Sequence, residues 1–286
     1  MLSKRTNSIF NVIATGFLAY IATIPVHELI HLITFYAYGD KCEVFTAFSV
    51  HEMNLIDYMS LPVFDRIMAC GGSASLFNVI IGIVVFTVLL KVKAGPMVRI
   101  FLIQLMGMHF SEGFSYFVMG GFFQFGDWGN VFSYFPNDTD IVSTMRIVLE
   151  ITGVVGGLFT VFALSRFSYA FISDPNNRRE RLSVSLKLYF IPFIVIYVAG
   201  IVMGFNSYLI NSEGYGIEFQ LFSGFNFIPF VYAFLLTWLL NKPPKSNHFL
   251  YKLPDESHYI VWAISTIFIL LDAIILAPGI QLNYTR

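Results

Sequence analysis

From Ile9 to Tyr38 the chain is almost wholly apolar, and His27, Glu28 and His31 are its only side chains there that titrate near or below neutral pH. A run of that length and character can cross about 30 Å of hydrocarbon as a helix. Ionisable groups inside such a span are costly and are read as functional by default. The three polar residues also fall in one pattern, His27-Glu28-Leu29-Ile30-His31. Residues four apart share a helical face, so the two imidazoles can approach one metal ion together. The glutamate beside the first histidine can then act as general base on a metal-activated water. That is the mechanical reason why H-E-x-x-H on a helix is a zinc signature. A lone histidine on an apolar helix is more often a packing residue, but packing does not account for three polar groups in this register.

The rest of the composition agrees with a membrane protein. Of 286 residues, 56% are hydrophobic and 12% charged, about half the charged share of a soluble domain. A net charge of −1 without a basic stripe excludes nucleic acid as the expected partner. Cys42 and Cys70 form neither a disulfide framework nor a C-x-x-C pair. The first apolar run is longer than a signal-peptide core and carries the motif, so it is expected to be retained.

Seven apolar segments, near 9–38, 63–90, 97–125, 147–171, 186–210, 219–240 and 258–278, predict an all-α polytopic protein with about seven transmembrane helices. Turn signals lie at Gly39-Asp40-Lys41, Gly95-Pro96, Pro136-Asn137-Asp138, Asp174-Pro175-Asn176-Asn177 and Lys242-Pro243-Pro244-Lys245. Lys4 and Arg5 precede the first span, Arg178, Arg179 and Arg181 fill the fourth connection, and 126–140 and 211–218 hold no Lys or Arg. Basic residues stay inside, so the N-terminus is expected in the cytoplasm and the C-terminus outside. Between the first two spans, Lys41 to Val50 is rich in β-branched and aromatic residues. It predicts a short β-like segment within 40–60, or else an interfacial loop with aromatic anchors. An edge strand there could accept an extended peptide.

A catalytic zinc wants three protein ligands and an open position. Antiparallel threading returns the end of the third span to the depth of the histidine pair. Asp127 lies there, between Gly126 and Gly129. Alone it reads as a surface acid beside an interfacial tryptophan; the need for a third donor makes it the expected ligand. His109 and Glu112, on the third span, are the alternative third ligands, and His51 is a weaker one. In the second span, Gly71-Gly72-Ser73-Ala74-Ser75 permits close helix packing, and Asn78 needs a polar partner. Gly153 and Gly157 form a small-xxx-small pair, Pro192 and Pro229 are expected kinks, and Asp272 needs a partner that the sequence does not name. Residues 1–140 are expected to form the core and 141–286 four further helices of unassigned role.

Together, these elements resemble the site-2 protease family of intramembrane zinc metalloproteases. His27-Glu28-Leu29-Ile30-His31 matches its H-E-x-x-H. Phe35-Tyr36-Ala37-Tyr38-Gly39-Asp40-Lys41 looks like its turn into a membrane-associated β-region. Gly71-Gly72-Ser73-Ala74-Ser75 is similar to its second-helix glycine element, with Ser75 or Asn78 in the polar position. Gly126-Asp127-Trp128-Gly129 stands where that family has a third-ligand Asp, usually Asp-Gly, and Trp128 departs from that pattern. The resemblance covers roughly residues 9–135. It implies Zn²⁺ held by His27, His31 and Asp127, with Glu28 as the catalytic base. Asn78 or Ser75 would steady the substrate backbone or the oxyanion. The substrate would be a membrane-embedded protein helix that unwinds locally in the lipid bilayer of the cell membrane. A membrane transport or binding protein that keeps the metal site without proteolysis is the alternative.

Overall fold

The computed structural model describes residues 4–136, 139–207, 223–240 and 251–282. The turn signals at Asn137-Asp138 and Lys242-Pro243-Pro244-Lys245 and the connection 211–218 lie outside the described residues, as do the adjoining ends of the fifth and sixth expected spans. In order the helices are α1 (Lys4–Ile21), α2 (Ile24–Tyr38), α3 (Val63–Ile67), α4 (Ser73–Lys91), α5 (Pro96–Val118), α6 (Asp127–Ser133) and α7 (Thr139–Ser168). They continue with α8 (Arg178–Ser185), α9 (Ile191–Gly204), α10 (Ile228–Leu239) and α11 (Tyr259–Leu271).

The first apolar run is two helices. Proline lacks an N–H, so Pro25 cannot bond the carbonyl of Ile21, and it sits in the first turn of α2, where that donor is not needed. The chain therefore breaks at Ala22 and Thr23, just before the motif. After α2 come strands β1 (Cys42–Phe45) and β2 (Val50–Glu52). Their hairpin is closed by the Thr46 hydroxyl, which accepts from the N–H groups of Phe48 and Ser49. A C-terminal strand, β3 (Ile280–Gln281), pairs antiparallel with the other edge of β1, giving the order β2-β1-β3. The β-like segment expected at 40–60 is thus part of a sheet, and its third strand comes from the far end of the chain.

Asp40 ties this connection together. Its buried carboxylate accepts from the N–H groups of Lys41 and Leu55 at 2.7 and 3.0 Å and from the Tyr58 hydroxyl at 2.6 Å. Burial, and then the Asp40 charge, push the Tyr58 phenol well above its ordinary range, so it remains a donor. Burial likewise pushes the Cys42 thiol up to about 12, which keeps it protonated at neutral pH.

The expectation of seven spans is corrected to five among the described residues. Thr6–Tyr38, Val63–Lys91, Thr139–Phe171, Arg178–Gly204 and Tyr259–Leu276 are helical, long and apolar enough to cross a membrane. The third expected segment is also one long helix, α5 continued through a wide turn at Met119–Phe123. It carries Arg99, Gln104, His109, Ser111 and Glu112, all buried, so other helices rather than lipid surround it. The sixth is a shorter apolar helix, Gly224–Leu239. Pro229 lies in the first turn of α10 and starts that helix instead of kinking it.

α5 packs against α1, α4 and α7. Small residues allow the approach: Gly82 faces the Phe110 ring, Gly113 faces Val79, and Gly153 and Gly156 face Val118 and Phe114. Gly156, not Gly157, is the partner of Gly153; nothing lies within 4 Å of a Cβ added at Gly157. The outer faces are apolar, with Ile147, Ile151, Val155 and Leu158 exposed on α7 and Ile80, Ile83 and Val84 on α4. Surfaces of that kind belong in lipid. α11 is anchored to α1 by Asn11, whose amide N–H donates to the carbonyls of Pro254 and Glu256 while its oxygen accepts from the Trp262 indole.

Replacing Asp40 by Ala strands three donors at once. Asp40→Ala should lower the stability of the detergent-solubilised protein by about 2–3 kcal/mol, and Tyr58→Phe by about 1 kcal/mol. Thermal unfolding of the two variants beside wild type checks both the loss and the order.

Candidate metal centre

α2 carries His27, Glu28 and His31 on its buried side. The Nε2 atoms of His27 and His31 lie 3.2 Å apart. The first residue of α6 closes on them: Asp127 Oδ2 is 3.1 Å from His27 Nε2 and 3.3 Å from His31 Nε2. These three side chains offer donor atoms within 4.8 Å of one another, an arrangement that could hold a metal ion.

Asp127 reaches this point because the backbone on both sides of it is irregular. After the wide turn at Met119–Phe123, Gln124 is left-handed and Gly126 adopts φ 67°, ψ −153°, which turns the chain into α6. Opposite, α3 and α4 are joined by another wide turn, Met68–Gly72, in which Gly71 has φ 138°. A Cβ at Gly71 would stand 2.8 Å from the Asp127 carbonyl oxygen and 3.1 Å from its Cα. Glycine is needed there both for its backbone angle and for space. Trp128, where the resemblance leads one to expect glycine, braces the turn. Its ring is buried near Gly72, and its indole N–H donates to Ser75 Oγ at 2.9 Å.

The other expected residues lie elsewhere. Glu112 accepts a hydrogen bond from the amide of Asn226, on the turn Ser223–Phe227 before α10. His109 Nδ1 is 2.9 Å from Asn78 Oδ1, and Asn78 Nδ2 is 2.8 Å from His27 Nδ1. Asn78 therefore stands behind His27, between the two imidazoles, and the Ser75 hydroxyl is engaged by Trp128. Neither lines the cavity onto which Glu28, His31 and Asp127 open. His51, on β2, does line it, but its ring is half exposed and 3.8 Å from the Glu43 carboxylate. That cavity is also bordered by Val50 and Glu52 of β2 and by Tyr116, whose ring stacks on His27 at 4.8 Å.

Tyr116, Gly71 as a neighbour of Asp127, and the partnership of Asn226 with Glu112 are beyond sequence reasoning. Nothing in the local pattern distinguishes Tyr116 from the other aromatic residues of α5. Asp272 is buried in the wide turn that ends α11, and neither of its carboxylate oxygens has a hydrogen-bond partner among the described residues. No family model, curated protein or solved structure matches this chain.

Gly71→Ala should push the Asp127 backbone away from the histidines and strain its own, lowering stability by about 1–3 kcal/mol. Gly157→Ala, on an open helical surface, should be neutral or slightly stabilising. Thermal unfolding of both variants tests the contrast.

Proposed function

We propose that this protein is an integral-membrane zinc metalloprotease that hydrolyses a peptide bond in a membrane-embedded protein segment. The observation that carries this reading is the convergence of His27, His31 and Asp127 beside Glu28 at the edge of an open cavity. The three donor atoms are separated by 3.1, 3.2 and 3.3 Å. A tetrahedron with arms of 2.0–2.1 Å has edges of about 3.3 Å, so the residues fit a small tetrahedral cation with one corner free. Two imidazoles and a carboxylate are also a donor set that suits zinc. When bound, zinc supplies Lewis acidity that polarises a carbonyl and makes water a stronger acid.

The remaining work belongs to the chain. Glu28 takes a proton from the attacking water and passes it to the leaving amine. For His27 to present the lone pair of Nε2, its proton must reside on Nδ1. Asn78 then meets that N–H with its carbonyl oxygen and turns its NH₂ group to His109, since the two ends of an amide are alike in shape. Asn78 is therefore a positioning residue for His27 in this reading, rather than an oxyanion donor. A helix hides its carbonyls in its own hydrogen bonds, so the substrate must enter extended. β2 stands at the end of the sheet order β2-β1-β3 and borders the cavity, and an extended segment would run beside it. The orientation that suits the basic residues is a cytoplasmic N-terminus and an outer C-terminus. The pairing of β3 with β1 supports putting the C-terminal strand on the face where α2 ends.

Protein purified without chelator should contain about one zinc per chain, and His27→Ala should lose it. Asn78→Ala should weaken zinc binding by about 10–100-fold. Glu28→Gln should keep zinc and cut cleavage of a model transmembrane substrate by at least about 100-fold. Metal analysis and a cleavage assay on the same preparations read all three. Stoichiometric zinc with no cleavage of any membrane segment would favour a metal-binding or transport protein, and full activity in Glu28→Gln would refute the mechanism. A cysteine placed at Asn177 should be labelled only from the cytoplasmic side.

A further inference from the structure

A second, narrower cavity adjoins the metal-site cavity at Glu28 and Tyr116. Glu28, Phe48, Tyr116, Phe125 and Gly126 line both, so the two spaces meet where the proposed general base stands. Its character is different. The metal-site cavity is polar around His31, His51, Glu52 and Asp127. The second is walled mainly by apolar and aromatic side chains, a usual make-up for a pocket that receives an apolar group.

The walls come from parts of the chain that the motif does not explain. Tyr20 and Ile24 flank the break between α1 and α2, so the interruption before Pro25 borders this space. Ile196, Tyr197 and Gly200 of α9 and Asn226 and Phe227 of the turn before α10 complete it. The bond from Asn226 to Glu112 joins that turn to α5. At Gly200, α9 offers no side chain to the wall. A Cβ there would lie 3.3 Å from the Tyr20 hydroxyl, with any larger group intruding on the cavity.

We propose that this cavity is the subsite for a large apolar or aromatic side chain of the bound segment, adjacent to the carbonyl that is attacked, and that α9 sets its size. The inference rests on the metalloprotease reading. It extends that reading by making the second half of the chain a determinant of which peptide bond is presented. An extended segment lying along β2 directs alternate side chains to opposite faces. A residue whose carbonyl is beside Glu28 can then place its side chain into the adjoining apolar cavity. An acidic side chain would lose its hydration there and face the Glu28 and Glu112 carboxylates, which line the same cavity.

The test uses the full-length zinc-loaded protein in detergent and one series of peptidyl hydroxamates, which anchor on zinc and need no turnover. Their side chain beside the hydroxamate is methyl, isobutyl, benzyl or carboxymethyl, and dissociation constants are read by thermal shift. Benzyl and isobutyl should bind at least about tenfold tighter than methyl, as burial of a few methylene groups requires, and carboxymethyl weakest. Gly200→Leu should remove most of the benzyl advantage while leaving the methyl probe within about twofold, a difference of less than 0.5 kcal/mol. Ile196→Ala should shift the preference toward a naphthylmethyl probe, a second arm that enlarges the pocket instead of filling it. Equal affinities for methyl and benzyl in wild type, or a benzyl advantage unchanged in both variants, would overturn the subsite. Failure of zinc or of every hydroxamate to bind would instead overturn the metal-site reading, and the subsite with it.

Discussion

The interior of this protein depends on a polar group being more costly to bury alone than in company. His27, Glu28 and His31 are buried within the first apolar run, where each needs a polar partner. Asp127 meets the two histidines from another part of the chain, and Asn78 and His109 extend the contact behind them. Much of the neighbouring irregular backbone serves that meeting. The helix break before Pro25, the wide turns at Met68–Gly72 and Met119–Phe123 and the left-handed Gln124 all lie beside the cluster or lead to it. Non-helical backbone at membrane depth is tolerated where it is enclosed by protein or lines a cavity, and Cys70 and Gly71 of the first wide turn and Gln124 after the second line the cavity beside the cluster.

Packing explains why α5 sits at the centre. It buries Arg99, Gln104, His109, Ser111 and Glu112, and their cost is met by neighbours on three sides rather than by lipid. Glycines on α4, α5 and α7 let those neighbours approach to backbone distance, as is common where helices associate without a hydrophobic driving force. The result is a closely packed wall behind the histidines, with Tyr116 stacked on His27.

The second half of the chain closes the molecule around this core. β3 completes a sheet begun by the first connection, Asn11 binds the segment before α11, and Asn226 meets Glu112. These are long-range contacts between residues with no shared local pattern. They join the second half of the chain to the motif-bearing half, and α9 lines a cavity that Glu28 also lines.

The sequence by itself determined that the chain is mostly apolar helix, long enough in places to cross a membrane, because hydrocarbon admits few other backbones and apolar runs record that demand directly. It also singled out His27, Glu28 and His31, because their spacing on one helix is local. Asp127 was legible only as the acid that threading returns to the right depth. The count of spans was not legible: a buried helix and a lipid-facing helix have similar composition, and five rather than seven meet the membrane criterion among the described residues. Only the tertiary structure decided that Asp127 and not Glu112 or His109 faces the pair, that Gly71 makes room for it, and that Asn78 meets His27. The physical reason is that each of these choices is a contact between segments about fifty residues or more apart in the chain, set by the close approach of three helices, and no local pattern encodes such a distance.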